Sequence, residues 1–300
     1  MSQEKKAVII ASITAIILII IKGTAGILTG SMAIITSAID SAMDFFVSLM
    51  NFLAIRKSEE PHDEDHNYGH GKIEGFGAIF EGLVIFLSGI AVIYFSIQKI
   101  INHEYIHGNY ESILVMIISI LITFALVIYL SKISKLTGSL VLKADSLHYK
   151  SDLYTNLGII ISLIILKVFN LPIIDPIISI IIALYIMYGS LEILQEGYKM
   201  LMDHAIDEEY VEFIKNTINS FKEISSYHFL KTRQSGKNNF IEFHIVFGDP
   251  NILLKLAHII GDKIELKIME QIPNAHIIIH LDYFDDSSEI NNPKVLVNNK

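Results

Sequence analysis

Residues 35–55 read ITSAIDSAMDFFVSLMNFLAI, a run that is apolar or weakly polar except at Asp40 and Asp44. On a helix, residues four apart share a face, so the two carboxylates point the same way. At mid-bilayer a charged side chain costs roughly 2.5 to 3.5 kcal/mol even on the lenient insertion scale, so such a pair needs a compensating partner. Whether this run crosses a membrane decides the fold.

The rest of the chain answers that it does. The 300 residues are 52% hydrophobic with a mean hydropathy of +0.49, and the apolar residues are gathered into long blocks. Six blocks, at 7–29, 32–55, 74–98, 112–131, 141–167 and 173–196, are each long enough for a hydrocarbon core that needs roughly 20 helical residues. The EKK before AVIIASITAIILIII has the charge of a signal peptide, but no clear small-residue cleavage site follows and five further spans remain. Lys5, Lys6, Arg56, Lys57, Lys72, Lys132, Lys135 and Lys143 flank the spans on one side, with Lys99 and Lys167 near the other. That asymmetry predicts both termini in the cytoplasm.

After Glu196 the pattern changes. In DEEYVEFIKNTINSF the apolar Val211, Ile214, Ile218 and Phe221 have the spacing of a half-buried helix in water. SSYHFLKTRQ and NFIEFHIVF read as strands of a hairpin turning at Gly236, the second alternating Ile241, Phe243, Ile245 and Phe247 with Phe240, Glu242, His244 and Val246. NILLKLAHIIGDKIELKIMEQI puts Leu253, Leu256, Ile260, Ile264 and Ile268 on one helical face, and AHIIIHLDY alternates as a strand. The expected fold is an α-helical membrane domain of six transmembrane helices (1–205) followed by an α+β domain of order αββαβ (206–290). The remaining residues, 291–300, have the composition of a disordered tail.

Net charge is −9, which offers no basic face for nucleic acid. There is no cysteine, so a metal would have to be held by histidine, carboxylate, backbone oxygen or water. Three sets of such ligands stand out. In the fifth block, DSLHYKSDLYTNLG spaces His148 and Asp152 as Asp40 and Asp44 are spaced. Two facing helices would thus supply three carboxylates and one imidazole, a set suited to a tetrahedral divalent ion. The other reading is that these groups lie hydrated at helix ends or paired with Lys143 and Lys150. The loop EEPHDEDHNYGHGKIEG carries Asp63, His66 and His70, with His62 and Asp65 nearby, and such loops are also often merely solvated. In the second domain His244, His280 and Asp282 fall opposite the apolar stripes, and His228 and His258 complete a donor set for one or two ions. A solvent-exposed polar sheet face is the alternative there.

Taken together, DSAMD, HYKSD, HNYGHGKIE, KTRQSGKNNFIEFHI and IIIHLD, in this order from about residue 7 to 285, resemble the cation diffusion facilitators, in particular their bacterial zinc and ferrous-iron efflux branch. The resemblance implies a homodimer in the bacterial inner membrane, with metallochaperone-like cytoplasmic domains, exporting divalent metal in exchange for protons. Carried onto this chain, it implies a transport site at Asp40, Asp44, His148 and Asp152, a loop site at Asp63, His66 and His70, and cytoplasmic sites drawing on His228, His244, His258, His280 and Asp282. Lys72 and Asp203 match a pair that interlocks protomers in relatives. Glu81 departs from the pattern, standing where an amide is expected. No G-x-x-x-x-G-K-[ST] loop is present, which argues against ATP as the energy source. Zn²⁺, with Fe²⁺ or Cd²⁺ behind it, suits a histidine among carboxylates better than Mg²⁺ or Ca²⁺. A membrane metal sensor and an intramembrane metalloenzyme are the competing functions.

Overall fold

The computed structural model describes residues 1–102, 110–169, 171, 173–283 and 285. Six long helices come first: α1 Gln3–Thr29, α2 Met32–Ser58, α3 Ile73–Asn102, α4 Tyr110–Thr137, α5 Leu140–Phe169 and α6 Ile174–Leu201. Among the described residues, five of them are long and apolar enough to cross a membrane. In α5, Lys143, Asp145, Lys150 and Asp152 crowd the first half and the apolar run follows in the second. Leu28, Phe95, Leu121 and Tyr188 are among the many large apolar side chains exposed on this unit, as a lipid-facing surface requires.

Local signals start and stop these helices. The Ser2 side chain accepts from the Lys5 amide at 3.2 Å and so caps α1, which ends at Gly30 with φ +64°. Only glycine adopts that backbone readily, and the chain reverses at once into α2. The two helices approach so closely that a β-carbon on Gly26 would stand 2.8 Å from Ile35 Cγ1. Small residues do the same between α3 and α6, where a β-carbon on Gly197 would meet Ile79 at 2.6 Å and the Gly75 carbonyl at 3.1 Å. Close backbone packing of this kind drives helix association where lipid supplies no hydrophobic contrast. Polar contacts add to it: Lys5 pairs with Glu59 at 2.8 Å between α1 and the end of α2, Ser48 Oγ lies 3.1 Å from the Tyr149 hydroxyl between α2 and α5, and Ser131 Oγ lies 2.6 Å from Ser146 Oγ between α4 and α5.

The chain divides into two compact units, Met1–Tyr198 and Lys199–Lys300. In the second, α7 Glu208–Asn219 and α8 Leu254–Gln271 cover a sheet of β1 Ile224–Ser235, β2 Asn238–Phe247 and β3 Ala275–Asp282, in the order β1-β2-β3. The order αββαβ is therefore as expected. β1 and β2 are antiparallel around Gly236 (φ +57°), and β3 returns parallel to β2 after the α8 crossover. Ile214, Ile218, Ile241, Phe243, Ile245, Ile260, Ile264 and Ile268 form its core. The inward face of α8 differs at its start from the sequence reading. Leu253 and Leu256 are exposed and Ala257 is buried: Leu253 precedes α8, and the inward face begins at Ala257 and continues through Ile260 and Ile264. The tail expected at 291–300 lies outside the described residues.

Candidate functional site

Asp44 on α2 and His148 and Asp152 on α5 bring one ligand atom each to within 4.8 Å of one another. His148 Nε2 is 3.0 Å from Asp44 Oδ1, although 104 residues separate them in the chain. The i, i+4 spacing turns His148 and Asp152 to the same side of α5, and the packing of α5 on α2 presents them to Asp44. Asp40, one turn before Asp44, is exposed on α2 and does not join the three. Lys143 binds Glu196 at 2.7 Å and Glu192 at 3.2 Å, so it is engaged by α6 and not by the site.

A cation stands beside this cluster. Lys22, in the apolar run IILIIIKGTAGI of α1, is buried and donates to Ser41 Oγ at 2.8 Å and to the Ser37 carbonyl at 3.4 Å. Its charge acts on Asp44, Asp152 and Asp40. Sequence reasoning passed over Lys22, although a lysine inside a hydrophobic span is a functional signal by default. It also passed over Asp145, which the i, i+3 spacing places on the face of His148.

In the α2–α3 loop, Asp63, His66 and His70 converge within 4.8 Å. Asp63 Oδ1 accepts from the His66 amide at 2.6 Å and lies 3.0 Å from His66 Nδ1; Oδ2 is 3.4 Å from His70 Nε2. Desolvation pushes the Asp63 carboxyl up, but the His66 amide and ring and the charges of both histidines outweigh it and hold the group below the usual carboxylate range. His70 is buried while His62 and Asp65 are exposed.

The third cluster is a row across the sheet. His228, His244 and His280 are in register on β1, β2 and β3, with ring centroids 4.9 Å and 4.5 Å apart. Asp282 sits among them: Oδ2 is 3.0 Å from His244 Nδ1 and 3.5 Å from His228 Nε2, and Oδ1 is 3.1 Å from His280 Nε2. His228, His244 and Asp282 bring their ligand atoms within 4.8 Å. β1 reaches this register through a bulge between His228 and Lys231, where Phe229 takes φ +61°, a strained backbone for an aromatic residue. His258 is exposed on α8 beside Asp262 at 3.8 Å, away from the row. His276 stacks on Phe240 with centroids 5.1 Å apart.

Comparison with known proteins decides the family. Residues 8–202 match the family described as the cation efflux transmembrane domain, and residues 206–284 match that described as the cation efflux protein cytoplasmic domain, labelled ZT_dimer. The chain belongs to the cation diffusion facilitator family. Among its relatives, the cation-efflux pump FieF of Shewanella oneidensis is 34% identical over 269 residues, covering 90% of this chain and 90% of that one. FieF of Klebsiella pneumoniae is 34% identical over 279 residues, with 92% of each chain covered, and protein p34 of Rickettsia prowazekii is 33% identical over 284 residues, covering 95% and 94%. This cation diffusion facilitator is thus a multi-pass membrane transporter for cation efflux, with divalent metal as its cargo, and not an enzyme. Its helical membrane domain and small α+β domain agree with the fold expected from the sequence.

Proposed function

We propose that this protein exports Zn²⁺, with Fe²⁺ or Cd²⁺ as secondary cargo, from the cytoplasm in exchange for protons, using Asp44, His148 and Asp152 as transport ligands. Asp40 stands one turn away and joins them during the cycle as the fourth ligand. The observation that carries the reading is the convergence of two carboxylates and an imidazole from α2 and α5 within the membrane domain. One imidazole among carboxylates suits borderline transition ions in a small tetrahedral shell; Mg²⁺ and Ca²⁺ favour oxygen shells with more ligands.

Outward movement of a cation against a negative interior costs about 2.3 kcal/mol per charge per 100 mV, so efflux needs a coupled source. Protons serve because they compete with metal for the same atoms: carboxylates must be ionised and imidazole neutral to bind. In the outward-facing state His148 takes a proton as metal leaves, and it yields that proton inside when metal binds. The relatives are bacterial and the basic residues cluster on one side of the spans, which supports an inner-membrane protein with both termini inside. In this reading residues 1–205 carry transport and residues 206–290 form a dimerisation domain, whose ions bind at His228, His244, His280 and Asp282, with His258 available on α8. The ZT_dimer label supports a homodimer, and a Lys72–Asp203 pair between protomers belongs to the same proposal.

Transport by purified protein in sealed proteoliposomes tests the reading. Asp44→Ala or Asp152→Ala should reduce Zn²⁺ accumulation by more than about 100-fold, beyond the usual loss for an outer-shell partner. Insertion and dimerisation should survive. Near-normal flux in either variant would sink the assignment, and a protein that binds metal without accumulating it would be a sensor.

A further inference from the structure

A second set of ionisable groups lies inside the membrane domain, apart from the transport ligands. Glu81 on α3 and Asp145 on α5 are both 0% exposed. Asn51 on α2 stands with them, and its Nδ2 donates to Glu81 Oε2 at 3.0 Å. The same amide acts on Asp145 without making a hydrogen bond of ordinary geometry to it. Glu81 Oε1 and both Asp145 carboxyl oxygens therefore have no hydrogen-bond partner among the described residues.

Two ionised carboxylates cannot stay in such a place uncompensated, since each charge out of water costs several kcal/mol. The groups that the neighbouring helices present near Glu81 can be named. From α2 come Asn51 and, acting on Asp145, Asp44; from α5 come Asp145 and His148; α6 presents Ile193 and Leu194 against neighbouring Gly82. Among the described residues, no lysine or arginine is among the charged groups that act on either carboxyl. A metal ion is a poor compensator here, because the three-ligand clusters among the described residues all lie elsewhere. A proton is the compensator that fits: it turns an orphaned oxygen into a neutral donor.

We propose that Glu81, held by Asn51, and Asp145 form a proton-binding site that is protonated when the transport site is empty and deprotonated when cargo binds. The coupling is electrostatic. Asp145 lies one helical turn from His148, so a divalent ion held by His148 favours the ionised carboxylate at short range in a medium of low dielectric. Metal binding expels the proton, and metal release restores it. The pair thereby adds a proton to those displaced directly from the metal ligands. This rests on the proton-exchange reading above and extends it.

The test uses the full-length protein in lipid nanodiscs. Protons released on saturating with Zn²⁺ at pH 7 are counted with an indicator dye, and infrared difference spectra between metal-free and metal-bound protein report carboxylic-acid carbonyl stretches. Glu81→Gln keeps the shape and the Asn51 contact; Asp145→Asn is the second variant should the first fail to fold. The expected result is about one proton fewer released per metal ion in either variant, with loss of a carboxylic-acid band that disappears from wild type on metal binding. An unchanged proton count, or a wild-type metal-free spectrum without such a band, overturns the inference. If wild type shows the band but releases no proton with Zn²⁺, the pair is protonated but uncoupled: the inference fails along with the exchange reading. An unchanged count in the variants with normal release in wild type refutes this inference alone.

Discussion

The Lys22 ammonium donates to Ser41 Oγ at 2.8 Å, which fixes a positive charge against α2 at a residue one turn before Asp44. That charge acts on Asp44, Asp152 and Asp40. It partly balances the acidic cluster when no cargo is bound, and it opposes a divalent ion when one arrives. Lys22→Met keeps the length of the side chain and removes the charge. We expect Zn²⁺ to bind about tenfold more tightly, equivalent to roughly 1.4 kcal/mol, and turnover to slow because release becomes limiting. Calorimetric titration of purified protein at pH 8, beside flux at the same pH, checks it; weaker binding would show that Lys22 holds the site together instead of opposing cargo.

His148→Asp removes the single imidazole among the proposed transport ligands. Four carboxylates prefer harder ions and, taken singly, ionise well below neutral pH, although crowding raises some of them. The variant should lose preference for Zn²⁺ relative to Mn²⁺ and show a displaced pH profile. Flux of both ions between about pH 5.5 and 8 in wild type and variant decides, and indistinguishable profiles would remove His148 from the ligand set.

The second unit closes a hydrophobic core of its own, so it is expected to fold when detached. Asp282 is shared by three imidazoles, and a bound cation would relieve the crowding of donors around it. His244→Ala and His280→Ala should weaken metal-dependent self-association of this unit at least about tenfold while maximal flux of the full chain falls less. Analytical ultracentrifugation with Zn²⁺ and with chelator measures the first effect. Failure of the wild-type unit to bind any divalent ion by calorimetry would rule the sites out.

The loop cluster makes a prediction about pH. Because the Asp63 carboxyl is held below the usual carboxylate range, its contribution to loop order is complete above the unfolded value near 4 and is lost only as pH falls through the lower folded value. From about pH 5 upward, then, Asp63 should impose no pH dependence on the loop. Site-resolved NMR of its carboxyl carbon should show a midpoint below that of a model aspartate. Asp63→Asn should abolish the ion-pair contacts to His66 and His70 and lower divalent affinity of the loop; a midpoint above 4 would contradict the hydrogen-bonded geometry.

Packing between α3 and α6 gives a stability test. Gly197→Ala forces a β-carbon against Ile79 and the Gly75 carbonyl, and overpacking of this kind costs about 1 to 3 kcal/mol. Thermal unfolding in detergent should fall accordingly, whereas Gly23→Ala, with open space around its β-carbon, should change little.

Much of this was legible along the chain because burial in lipid and period-2 alternation leave local marks. His148 could be paired with Asp152 from i, i+4 spacing alone, and the loop trio Asp63, His66 and His70 from proximity. Leu253 and Leu256 misled because helical periodicity extends through a cap without marking where the helix begins. The bulge at Phe229 was invisible for a related reason: alternation assumes a constant register, and one extra residue breaks it without any change in composition.

What the sequence by itself determined is the six-block membrane domain, the αββαβ domain and the residue types able to bind metal, since hydropathy and side-chain period are properties of neighbours in the chain. Only the tertiary structure decided which of those residues meet. Lys22 reaches Ser41 beside the acidic cluster because α1 lies against α2, Asp40 is left outside the three converged ligands, and His228, His244 and His280 align only through strand pairing. Glu81, Asn51 and Asp145 come together from three helices for the same reason: contacts between residues distant in the chain are set by packing geometry, which no local pattern encodes.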